Sequence, residues 1–186
     1  MNETKEENLK QIQKNVAIGM VIAFLSFFAY IIIVLNYIKI EKILNLNSPM
    51  ERIIYSLEWI ILMLPTFFIG IARIAGQRFF GSKETILGKR TKEIELSLSY
   101  LQNTFEQLFL SIFNLILLSI HLNENQMQLI PGFVCLFLCG RILFFFGYLN
   151  SKDTAGGRAI GFGLTFYPTV FIMFFNLFQF FKNKIF

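Results

Sequence analysis

Five long apolar runs mark the chain, and short polar stretches separate them. The first, 16–38, is 23 residues without a charge. The others are 53–72, interrupted by Glu58 and Pro65; 96–122, polar in its first half; 129–149, containing Arg141; and 159–181. A helix of about 20 apolar residues crosses the hydrocarbon core of a bilayer. Only helices and closed barrels satisfy their own backbone there, and none of the runs alternates as a barrel strand does. The pattern predicts an all-α membrane protein with five transmembrane helices. Pro65 and Pro168 are expected to kink the second and fifth unless neighbouring groups compensate.

Composition agrees with this reading. The chain is 55% hydrophobic with 24 Phe, and its mean hydropathy is +0.58. That is more apolar surface than an ordinary soluble domain of this size carries. The first 15 residues mix Glu3, Glu6 and Glu7 with Lys5, Lys10 and Lys14. The run that follows is longer than a signal-peptide core, so no cleavable signal is expected.

Basic residues set the expected orientation. Lys5, Lys10, Lys14, Arg73, Arg78, Lys83, Lys89, Arg90, Lys92, Lys152 and Arg158 fall on one side, eleven in all. Lys39, Lys42, Arg52, Lys182 and Lys184 fall on the other, five in all. The excess places the N-terminus inside and the C-terminus outside.

Few residues offer chemistry. No nucleotide loop, zinc motif or nucleophile elbow is present, and the glycine-rich 156–163 lacks the strand that a dinucleotide site needs. No nucleic-acid partner is expected. Cys135 and Cys139 lack further ligands for a metal and read as two small buried apolar side chains.

The third run carries a polar stripe. Glu95, Ser99, Gln102, Asn103, Glu106, Asn114 and His121 fall within roughly 120° at 100° per residue. Such a stripe faces other helices or a subunit interface. Glu106 lies roughly 15 Å from the inner face, and Arg141 on the fourth run roughly 12 Å. A charge at membrane depth costs several kcal/mol unless it is paired or wet. A Glu106–Arg141 pair is therefore expected. Tyr148 shares a helix face with Arg141, and Arg158 opens the fifth run, so both lie toward the inner mouth. Gly140 and Gly147 invite close approach of another backbone. Such a pair serves equally to fix helix register or to build a site.

At Gln102-Asn103-Thr-Phe-Glu106-Gln-Leu, Gly140-Arg141, Gly147-Tyr148-Leu and Arg158-Ala-Ile-Gly-Phe, the chain resembles the MAPEG family, the membrane-associated proteins of eicosanoid and glutathione metabolism. The resemblance implies a four-helix transmembrane bundle over 51–186 that assembles as a trimer. Residues 1–50 then form an N-terminal tail and one extra transmembrane helix, as in a five-span branch of the family. The catalytic members bind glutathione between subunits. By that likeness Asn103, Glu106 and Arg141 would bind glutathione, and Tyr148 and Arg158 would act on its thiol. The chain departs from the pattern at Ser99 and Gln102, where the family carries arginines. It departs again at Phe144, where prostaglandin E synthase has His.

Two functions stay open. One is a non-catalytic protein, either a lipid-binding accessory protein or a structural subunit of a larger membrane assembly. The other is a glutathione-dependent transferase or peroxidase acting on a lipophilic electrophile. The expected partners are membrane lipids and either two further copies in a homotrimer or the other subunits of a larger complex.

Overall fold

A computed structural model of the chain describes residues 2–37, 46–149 and 155–185. Lys39, Lys42 and Lys152 of the charge count lie outside the described residues. All the regular structure described is helical: α1 (Asn2–Tyr37), α2 (Pro49–Ile60), α3 (Leu64–Phe79), the single turn α4 (Lys83–Ile86), α5 (Lys92–His121), α6 (Leu129–Leu149) and α7 (Ala155–Ile185). Five stretches are long and apolar enough to cross a membrane: Asn8–Val34, Pro49–Phe79, Lys92–His121, Glu124–Tyr148 and Arg158–Ile185. They match the five apolar runs.

Local sequence sets the breaks. Ser48 caps α2, accepting from Glu51 N at 3.2 Å while Glu51 Oε2 accepts from Ser48 N at 2.8 Å. This reciprocal pair satisfies two amides that the helix leaves unbonded. A 3₁₀ turn over Ile61–Met63 separates α2 from α3, and Pro65 sits in the first turn of α3. A proline there removes no hydrogen bond, so the break in the second span falls just before it. Pro168 lies inside α7, which runs on through it.

α7 packs against α1, α5 and α6. α1 buries Ala23, Phe27 and Val34, and its Phe24 and Phe27 rings lie 5.3 Å from Tyr167 and 5.7 Å from Phe171. Against α6 the approach is closer. A Cβ placed on Gly140 would meet the Gly161 carbonyl oxygen at 3.0 Å, and one on Gly147 would meet the Arg158 amide nitrogen at 3.0 Å. The two glycines admit the α7 backbone, the contact their spacing foretold. Met63, Leu108, Leu115, Val134, Phe137, Leu164 and Ile172 fill the core between the helices.

Cys135 and Cys139 are free and exposed, not buried as expected. They share the outer face of α6 with exposed Ile142 and Phe146. Hydrocarbon is as apolar as a protein core, so a small apolar side chain gains nothing by turning inward.

Candidate functional site

Arg141 is 1% exposed, the largest side chain so deeply buried. Its Nη1 donates to Asn103 Oδ1 of α5 at 2.9 Å, and its Nη2 donates to Thr165 Oγ1 of α7. Thr165 in turn donates to the Phe162 carbonyl at 2.9 Å, so its oxygen is free to accept from the guanidinium. The guanidinium carbon also lies 4.6 Å from the Phe144 ring centroid and 5.7 Å from that of Phe137. Nε of Arg141 has no partner among the described residues. One side chain of α6 thus ties α5 to α7 through charge-assisted bonds, in surroundings where such bonds are strong.

Glu106 is not part of this tie. It is exposed on the single chain, and Oε1 accepts from Gln102 Nε2 at 3.1 Å. The expected Glu106–Arg141 pair is therefore replaced by Asn103–Arg141. The reason lies in how α5 is rotated. Asn103 and Asn114 occupy roughly 220–240° of the polar stripe, whereas Glu95, Ser99, Gln102 and Glu106 occupy roughly 120–180°. Only the first group meets α6 and α7; the second is exposed.

Two further rungs join α5 to α7. Ser111 and Thr169 hydroxyls are 2.8 Å apart, and Thr169 donates to the Thr165 carbonyl at 2.7 Å. Asn176 Nδ2 donates to the Asn114 carbonyl at 3.0 Å and to Asn114 Oδ1 at 3.2 Å. Asn114 is thus an interhelical hydrogen-bonder, one of the two roles open to the stripe. His121, half-buried at the end of α5, has its ring 6.5 Å from Phe175.

Tyr148 and Arg158 meet where α6 ends and α7 begins. The Arg158 guanidinium carbon lies 4.9 Å from the Tyr148 ring centroid. The Phe144 and Tyr148 rings are 5.0 Å apart and edge to face. An unbroken stack of Arg141, Phe144, Tyr148 and Arg158 therefore runs from the middle of α6 to the start of α7, two cations bracketing two rings. Tyr100 of α5 backs it, with its ring 6.0 Å from Phe144 and 6.2 Å from Tyr148. The Tyr100 hydroxyl donates to the Thr66 carbonyl of α3 at 3.1 Å.

The structure brings together Asn103 with Arg141 and Tyr148 with Arg158, and leaves Glu106 apart. Sequence reasoning missed Thr165, Tyr100 and the stacked role of Phe144. Thr165, Thr169 and Asn176 fall within roughly 40° on α7 at 100° per residue, a second polar stripe that would have exposed the first. Asn103 turns its carbonyl to Arg141, and Glu106 is turned away. No group of three or more His, Cys, Asp or Glu among the described residues is arranged for a metal.

These helices define an α-helical, multi-pass membrane protein. The model of the MAPEG family matches residues 53–178, and the chain belongs to that family. α1 precedes the matched residues. Two curated relatives carry the name Transmembrane protein 79, the branch that the added first span implied. The Mus musculus protein is 28% identical over 94 residues, 50% of this chain and 23% of its own. The Bos taurus protein is 25% identical over 144 residues, 74% of this chain and 34% of its own. The chain thus spans about a quarter to about a third of the length of these relatives. No solved structure matches it.

Proposed function

We propose that the chain is a non-catalytic MAPEG protein, a lipid-binding accessory protein or a structural subunit of a membrane assembly. The observation that carries this reading is the burial of Arg141 between Asn103 and Thr165. The residue that the likeness would assign to glutathione is buried and holds three helices together. Phe144, where prostaglandin E synthase has His, offers that guanidinium an aromatic face. Ser99 and Gln102 leave out the arginines that would receive glutathione's carboxylates.

Exposed Glu95, Ser99, Gln102 and Glu106 support assembly. A carboxylate facing lipid is expensive, so this strip meets another subunit, either in a homotrimer or in a larger complex. The excess of basic residues supports an inward N-terminus and an outward C-terminus.

The second reading, a glutathione-dependent transferase or peroxidase, is favoured by the Tyr148–Arg158 contact. The Arg158 guanidinium lies over the Tyr148 ring, and a tyrosine and an arginine on one ligand would suit a thiolate. Calorimetry of the purified protein in detergent decides between the two readings. The non-catalytic reading expects no heat of glutathione binding. Saturable binding that weakens in Arg158→Ala would overturn it.

A further inference from the structure

A second polar feature lies outside the Arg141 tie. A cavity of about 310 Å³ opens between α3, α5 and α6, lined by Arg73, Glu93, Ser97, Tyr100, Phe145 and Tyr148. It is large enough for a small ligand or a headgroup. Arg73 is held in place. Its Nε donates to Ser97 Oγ at 3.1 Å, and its guanidinium carbon lies 5.8 Å from the Phe145 ring centroid. Ser97 is anchored in turn, donating to the Glu93 carbonyl at 3.0 Å. The terminal nitrogens of Arg73 have no partner among the described residues. Glu93 lines the same cavity without forming an ion pair with Arg73.

Two opposite charges that share a cavity and do not touch are arranged for a ligand carrying both signs. We infer that this cavity binds a zwitterionic headgroup, an anionic phosphate or carboxylate on Arg73 and an ammonium on Glu93. Arg73 presents a planar fork suited to such an anion. Tyr100, Phe145 and Tyr148 supply aromatic walls, whose faces also attract an ammonium. Depth favours a lipid as the source. Glu93 opens the third span, Tyr148 closes the fourth and Arg73 lies within two turns of the end of the second, so the cavity lies close to headgroup level. The inference rests on the lipid-binding reading only for that source. It gives that reading one headgroup class and one address.

Native mass spectrometry of the delipidated full chain tests it. The probes are dioleoyl phosphatidylethanolamine, dioleoyl phosphatidylglycerol and the soluble glycerophosphoethanolamine. The expected result is preference for phosphatidylethanolamine. Glu93→Gln, on an exposed first turn, should lower that occupancy about tenfold without altering binding of phosphatidylglycerol. Arg73→Gln should lower both lipids, and an unchanged thermal midpoint shows that each variant is folded. Competition by glycerophosphoethanolamine at lipid-like concentrations would uphold the zwitterion site and assign it to a free solute. Equal binding of the two lipids, or an unaltered preference in folded Glu93→Gln, would overturn the site. Lipid binding elsewhere, and the absence of glutathione binding, would still stand.

Discussion

The polar stripe of α5 has two halves that serve different ends. One half, Asn103 and Asn114 with neighbouring Ser111, is spent on α6 and α7. The other, Glu95, Ser99, Gln102 and Glu106, bonds only within α5 and faces outward. A polar residue in a membrane helix therefore has two uses. Turned inward, it fixes the register of its own bundle. Turned outward, it asks for a neighbour that the single chain does not supply.

The largest effect should come from removing the centre of the inner half. Arg141→Ala deletes a filled volume and leaves Asn103 and Thr165 without their donor, an expected loss of about 3–5 kcal/mol. Thermal or steric-trapping measurements in detergent would show it. A neutral outcome would place the weight of the bundle elsewhere. Next comes the seam that lets α7 reach Arg141. A Cβ on Gly161 would meet the Gly140 carbonyl oxygen at 2.7 Å, and neither backbone can yield cheaply. Gly161→Ala should cost about 1–3 kcal/mol. The smallest effect on the fold belongs to the outer half. Glu106→Gln should change single-chain stability by less than about 0.5 kcal/mol. It should shift the population of oligomers seen by native mass spectrometry instead. Unaltered assembly would mean that the outer half meets no partner.

Much of this was legible in the sequence. Five spans follow from run length, and Gly140 and Gly147 marked a close helix contact without naming α7 as the partner. The stripe that holds Asn114 was expected to face other helices or a subunit interface, and Asn114 bonds to α7. The partner of Arg141 was not legible. Glu106 and Asn103 lie one turn apart at similar depth, and charge alone favoured Glu106. Helix rotation decided for Asn103, and periodicity cannot fix rotation when the stripe is 120° wide. Thr165 stayed hidden because a lone hydroxyl in an apolar run can bond its own helix. The exposure of Cys135 and Cys139 was misjudged because lipid and core ask for the same side chains.

The central claim is that Arg141 works with Asn103 as a structural tie, apart from Glu106. A pair of double-mutant cycles in detergent tests it most directly, using Arg141→Met with Asn103→Ala and Arg141→Met with Glu106→Gln. The account predicts a coupling of about 1–3 kcal/mol for Arg141–Asn103 and one near zero for Arg141–Glu106. Strong coupling to Glu106 with additive losses at Asn103 would contradict it.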